Sequence, residues 1–411
     1  MRRAPLSLVA RLRALLGADA AGARQSLVAL FLNSSTSFVA GAFLGSITDT
    51  FAKYPGLLVL VPAAIGLRGN IFGAFGNRIS TAIHAGTFRL SARPDTVLGQ
   101  NVLASMILTL AASLFLAVAA KGAAVALGVE HSISLLDMIT ISIVGGLIGS
   151  TIVLACTLGL TAGAVRYGWD LDNVSAPLVS TLGDVLTLPA LFIATYLVGI
   201  HILTPLLGTG LTVAALLLLI AGLRATLPTL RRILRESMPV LLFAGCISAG
   251  AGIALERSFA TFDKFPALLV LGPAHLSSGG ALGGVLAGRL ATKMLLGTSE
   301  PMATPDREAR RDIWLLFLIA VPVYLFNAVG AQLVSELLGL RSPGWTQMIS
   351  ASLIAGLGGV LLVAAMAYYS TVVAVRTGLD PDTYGIPVVS SFVDFGGAVT
   401  LIVTIAFLGI T

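Results

Sequence analysis

Two aspartates pose the first chemical question. Asp184 and Asp394 each interrupt a long apolar stretch. Each falls about ten residues into its predicted helix, roughly 15 Å along the axis and so near the middle of a ~30 Å hydrocarbon layer. No other acidic residue in the sequence is placed so deep. An ionised carboxylate at that depth is costly unless it is paired, hydrated or bound to a cation, so two at matching places point to function.

Three chemistries use carboxylates placed this way. They bind a cation on a path through the membrane; they take up Na⁺ or a proton to drive a carrier of another solute; or, as in intramembrane aspartyl proteases, they share a proton and activate water. The last predicts aspartates on non-equivalent helices with distinct motifs. Here both sit in copies of one motif, VRYGWDLDNVSAPLVSTLGD from Val165 and VRTGLDPDTYGIPVVSSFVD from Val375, in which nine of twenty positions are identical. A symmetric ion path explains such a pair better than a protease dyad, and no enzymatic activity is expected.

Within each copy, Pro177, Ser180 and Asp184, like Pro387, Ser390 and Asp394, follow i, i+3, i+7 spacing on one helical face. Each proline frees a main-chain carbonyl one turn earlier, and free carbonyls suit hard cations. A second pair of segments complements them. Pro62 with Gly66, Arg68, Gly69 and Asn70, and Pro273 with Ser277, Ser278, Gly279 and Gly280, predict broken helices that line a cavity at mid-depth. Close helix packing on small residues is the plainer alternative. Arg68 either meets a carbonyl or stands as a fixed charge that tunes ion entry.

Other polar residues carry less. In the run from Asn33 to Ser37 only Ser37 has a counterpart, Ser248, which favours packing. Asp170, Asp172, Asp380 and Asp382 precede the aspartate helices, either with Asp172 and Asp382 as helix N-terminal charges or as a vestibule that attracts cations. A soft-metal site needs clustered His or Cys. His84, His131, His201 and His275 are scattered, with only His275 in a span and read as a packing residue, and Cys156 and Cys246 are too few for a thiolate site or a disulfide framework.

The elements that must position these groups follow from composition. Of 411 residues, 56% are hydrophobic and 11% charged, with a mean hydropathy of +0.97. That excludes a soluble globular chain and predicts an all-α polytopic protein of the cytoplasmic (plasma) membrane, with membrane lipid as its surroundings. Eleven apolar stretches are expected as spans, at about 26–48, 55–76, 98–120, 136–164, 174–200, 203–223, 238–256, 265–287, 312–335, 345–370 and 385–411. With the N-terminus inside, nineteen Lys and Arg fall on the cytoplasmic side and five outside, Lys53, Lys121, Arg257, Lys264 and Arg341. The positive-inside rule then predicts N-in, C-out. The net charge of +6 reflects these anchors and gives no nucleic-acid footprint.

An internal repeat organises the spans. Shifting the chain by 211 residues aligns KYPGLLVLVPAAIGLRGN from Lys53 with KFPALLVLGPAHLSSGGA from Lys264, and fourteen of the 35 positions from Lys53 to Thr87 are identical. Residues 26–200 and 238–411 are read as two five-helix repeats, 1–25 as a cytoplasmic lead-in, and 201–237 as a linking span with a basic cytoplasmic loop. The extra span returns the chain to its starting side, so the repeats run parallel about a pseudo-two-fold axis along the membrane normal.

The PGLLVLVPAAIGLRGN…RIST and DLDNVSAPLVSTLGD blocks resemble the paired signatures of MgtE magnesium transporters and, more closely, of solute carrier family 41, in which two MgtE-type membrane units are fused. The resemblance covers nearly the whole chain. It implies a divalent-cation transporter with Mg²⁺ as the transported ion and no organic cofactor, working as a single chain. It also implies that Asp184 and Asp394 bind the metal in a pore, with the main-chain carbonyls at Ser180 and Ser390 as partners. Pro177, Pro387, Gly69, Asn70, Gly280 and Arg68 are the pore-lining candidates. The regulatory and CBS domains of bacterial MgtE proteins have no counterpart here. Repeat two also departs from repeat one, with Phe392-Val393-Asp394 against Leu182-Gly183-Asp184.

Overall fold

A computed structural model describes residues 20–84, 86–91, 93–126, 128–129, 132–167, 171–377 and 386–410. The described residues fold into thirteen helices: α1 (Ala20–Ser46), α2 (Thr48–Lys53), α3 (Leu57–His84), α4 (Val97–Ala126), α5 (Leu135–Tyr167), α6 (Leu171–Thr195), α7 (Leu203–Arg224), α8 (Pro228–Arg257), α9 (Phe259–Lys264), α10 (Ala267–Leu295), α11 (Arg307–Leu337), α12 (Trp345–Thr377) and α13 (Ile386–Phe407). Among the described residues ten are long and apolar enough to cross a membrane, and α6 contributes a shorter apolar segment, Leu182–Thr195. Helices are what such a sequence must form, because hydrocarbon offers backbone N–H and C=O groups no other partner. The outward faces remain apolar, as at Leu206, Val213 and Leu217 on α7, which would meet lipid.

Local geometry recurs at a spacing of 211 residues. The short helices α2 and α9 are each six residues long, and each buries one phenylalanine, Phe51 and Phe262. Each also ends on a lysine whose ammonium sits over the next ring, 5.1 Å from the Tyr54 centroid and 5.4 Å from that of Phe265. The long helices cross between the halves. α1 packs on α10 and α11, and α8 packs on α3 and α4. At the first crossing Gly41 lies against the Val270 backbone, and at the second Gly252 lies against that of Val59. A Cβ at either glycine would overlap the facing carbonyl oxygen, so these crossings need a residue without a side chain.

Two expectations are corrected. The segments around Pro62 and Pro273 are not broken: each proline lies inside one continuous helix, α3 or α10. Both prolines fall within the first two turns, where the missing N–H removes only one early backbone bond. The basic stretch expected as a loop is also largely helical, since α8 starts at Pro228. Its pattern explains this: Leu230, Ile233 and Leu234 are buried while Arg231, Arg232 and Arg235 are exposed, an amphipathic stripe at helical spacing.

Candidate functional site

Asp184 on α6 and Asp394 on α13 are both half-buried. Each carboxylate is approached by a hydroxyl. Ser277 of α10 donates to Asp184 Oδ2 at 3.3 Å, and Ser248 of α8 donates to Asp394 Oδ2 at 3.5 Å. Ser277 is in turn held by Asn33 of α1, whose Nδ2 donates to its Oγ at 2.9 Å and whose Oδ1 lies 3.2 Å from the same oxygen. On the other side Gly66, the residue that aligns with Ser277, borders Asp394: a Cβ there would sit 3.4 Å from Oδ2 and 3.7 Å from Ser248 Oγ. The second helices therefore bring Ser277 and Gly66 to the two carboxylates from positions related by the repeat.

Ser390 lies one turn before Asp394 and is half-buried. The side chains of Pro177, Ser180 and Pro387, together with Asp170, Asp172, Asp380 and Asp382, lie outside the described residues. Gly69 borders the aspartate helix, its N 3.7 Å from where a Cβ on Gly183 would stand. Gly280 faces open space, with nothing within 4 Å of an added Cβ. Asn70 is half-buried on α3.

Arg68 is 2% exposed and its Nη1 donates to the Ala64 carbonyl of its own helix at 2.7 Å. Nε has no partner among the described residues. Gly149 of α5 makes room for the guanidinium, since a Cβ there would stand 3.0 Å from Nε. Of the two alternatives, the carbonyl contact is present. His275 is buried against Tyr324, ring centroids 5.0 Å apart, and with Gly279, Val393 and Gly397 lines a small cavity beside α13.

A separate polar group closes the far ends of α10 and α11. Asp312 receives Lys293 Nζ at 2.8 Å and Arg289 Nη1 at 3.5 Å, while Lys293 also meets Glu308 at 3.3 Å. The aligned pair in the first half is Arg78 and Asn101, joined by a 2.7 Å bond from Nε to Oδ1.

The contact of Ser277 with Asp184, and of Asn33 with Ser277, has no counterpart in the sequence pattern. The sequence offers Ser277 only as part of a helix break and Asn33 only as a packing residue. The serine shared by the halves at Ser37 and Ser248 was a usable signal for Ser248 alone. Chemically, the assembled groups are oxygens: two carboxylates, two hydroxyls and an amide. Among the described residues no three His, Cys, Asp or Glu side chains cluster to hold a metal by themselves. Hard, reluctantly dehydrated cations suit such a sparse oxygen set, whereas soft metals require thiolates or imidazoles.

Apolar helices around an interior carrying two carboxylates define a polytopic membrane protein. The chain belongs to the MgtE family, divalent cation transporters, whose family profile matches it twice, at residues 61–194 and 272–404. It is also similar to human solute carrier family 41 member 2, 25% identical over 94% of this chain and 70% of that protein. Solute carrier family 41 member 2 of Gallus gallus is 26% identical over the same shares. The mouse member 3 is 24% identical over 84% of this chain and 74% of its own. No solved structure matches.

Proposed function

We propose that this protein carries Mg²⁺ across the membrane along the seam where its two halves meet, with Asp184 and Asp394 as the ion's charged ligands. The observation that carries this reading is that each carboxylate is approached by a hydroxyl and bordered by the other half, Asp184 by Ser277 of the second half, and Asp394 by Ser248 with Gly66 of the first half alongside. Mg²⁺ keeps most of its waters and takes one or two carboxylates. Hydroxyls and main-chain carbonyls, including those at Ser180 and Ser390, then receive hydrogen bonds from the bound waters. The absence of a His or Cys cluster among the described residues supports a hard cation over a soft one. The halves act as parallel repeats about an axis along the membrane normal, with the N-terminus inside, and one chain forms the whole path.

The test is Mg²⁺ flux into proteoliposomes containing a fluorescent indicator. Asp184→Asn and Asp394→Asn each reduce the initial rate by tenfold or more, the scale expected when an ion loses a charged ligand worth about 1.4 kcal/mol or more. Parent-like flux in both variants rules out these aspartates as ligands. No Mg²⁺ flux by the intact protein, with uptake of another solute on an imposed ion gradient, would transfer the aspartates to a coupling role.

A further inference from the structure

The two halves are alike in backbone and unlike in what surrounds their carboxylates. Asn33 and Ser277 align with Ala244 and Gly66, so only Asp184 has an amide and a hydroxyl linked to it in series. The layer behind differs in the same sense. Ser34 and Ser278 hydroxyls lie 3.1 Å apart, and Asn327 of α11 donates to Ser278 Oγ at 2.8 Å and to the Ala274 carbonyl at 3.1 Å. All three side chains are buried. Their counterparts are Gly245, Leu67 and Leu116, and Gly245 is pressed against Leu116, where an added Cβ would stand 2.7 Å from Cδ2. One crossing is thus a polar seam of hydrogen-bonded side chains; the other is apolar.

Buried amides and hydroxyls in an apolar span are costly unless satisfied, and this set satisfies itself except at Asn327 Oδ1, which has no partner among the described residues. The seam holds α1 to α10 so that Ser277 Oγ stays beside Asp184 Oδ2, with Asn33 Oδ1 next in line at 3.2 Å from Ser277 Oγ. That gives three oxygens from three helices, of a kind that hard cations and their waters accept. At Asp394 the corresponding places hold hydrogen and methyl, and the one hydroxyl, Ser248, is at 3.5 Å, the long limit for such a bond.

We infer that Asn33 and Ser277 complete with Asp184 a cation site that the second half lacks, so that the transported ion dwells off the axis, on Asp184, and meets Asp394 only in passage. The inference rests on the proposed role of the aspartates. Asn33 and Ser277 bind and position; they set affinity rather than the existence of the path.

The experiment is the same Mg²⁺ flux assay, measured as a function of concentration, on Asn33→Ala, Ser277→Gly and the double variant, which give the surroundings of Asp184 the residues that stand at the matching places around Asp394. Each single variant raises the half-saturating Mg²⁺ concentration about fivefold, as loss of one hydrogen-bonding donor set predicts, while the maximal rate per folded molecule is kept. Ser277→Thr, which retains the hydroxyl, restores the parent value. Asp184→Asn in the parent raises half-saturation more than Asp394→Asn does, and the double variant removes that difference. A purely structural role would lower the amount of monodisperse protein and the maximal rate while leaving half-saturation alone, and that outcome overturns the inference. Equal effects of the two Asp→Asn changes in the parent overturn it too, while leaving the shared ion path intact. If neither Asp→Asn change affects flux, the path itself is misassigned.

Discussion

Asp312 shows how a single residue is held differently in the two halves. Its side chain is buried, yet two cations with about a quarter of their side-chain surface exposed converge on it, Lys293 and Arg289. The Lys293 ammonium is the shorter partner, at 2.8 Å. The first half solves the same problem without a carboxylate, using Asn101 to accept from Arg78 and to donate to the Val97 carbonyl. Removing one member of a buried pair leaves the others desolvated and unmatched, and the partial exposure of both cations reduces that penalty. Asp312→Ala is expected to lower unfolding stability by about 2 kcal/mol, read as a fall in melting temperature in detergent. Asp312→Asn recovers roughly half of the loss, because the amide oxygen still accepts as it does at Asn101. Equal melting curves for the two variants would show that a neutral acceptor recovers nothing and that the charge carries the whole effect, whereas a parent-like Asp312→Asn would show that charge adds nothing beyond hydrogen bonding.

At the scale of elements, two helix crossings hold the halves together, and each is built on a glycine. Gly41 against Val270 and Gly252 against Val59 bring backbones into direct contact. Alanine at either place forces α1 off α10, or α8 off α3. Overpacking of this kind costs about 1–3 kcal/mol, and here the obstructing atom is backbone, which cannot rotate away. Gly41→Ala and Gly252→Ala should therefore each lower the melting temperature and the maximal flux. Gly73→Ala and Gly284→Ala, where an added Cβ meets nothing within 4 Å, should be neutral or slightly stabilising because alanine favours the helix. A similar loss at all four places would mean that generic helix perturbation, not the crossing, is measured. The same elements show what was legible beforehand. Hydropathy placed the helices, and the 211-residue offset matched α2 with α9 and α3 with α10, because those signals are local or repeat along the chain. Pro62 and Pro273 misled, because a proline signals lost backbone bonding but not how near the helix start it falls. Asn33 and Ser277 were not linked to Asp184 because they are 244 residues apart and meet only through the crossing of α1 and α10.

Across the whole molecule, basic side chains sort by end. Ile133 N donates to the Pro55 carbonyl, Gly56 N to Glu256 Oε1, and Arg341 to the Asp263 carbonyl, so the loops flanking α2 and α9 and those joining α4 to α5 and α11 to α12 gather at one end. That end holds Lys53, Lys121, Arg257, Lys264 and Arg341, the five residues whose sequence positions put them outside. At the opposite end Leu230 N meets Gln100 Oε1 and Arg376 meets the Pro301 carbonyl, amid the remaining arginines of the loops. The positive-inside rule predicts that the dense basic end faces the cytoplasm, because translocating each Lys or Arg next to a span is opposed during insertion and anionic lipid attracts it on the inner surface. In that orientation the proposed ion path would open to the outside at the sparsely charged end. Single cysteines at Lys53 and Lys264, introduced after Cys156 and Cys246 are replaced, should react with a membrane-impermeant maleimide in intact cells. Cysteines at Arg232 and Arg310 should react only after the membrane is opened, all four positions being exposed in the fold. The reverse labelling pattern would invert the molecule in the membrane, and labelling of Lys53→Cys but not Lys264→Cys would break the parallel relation between the two halves.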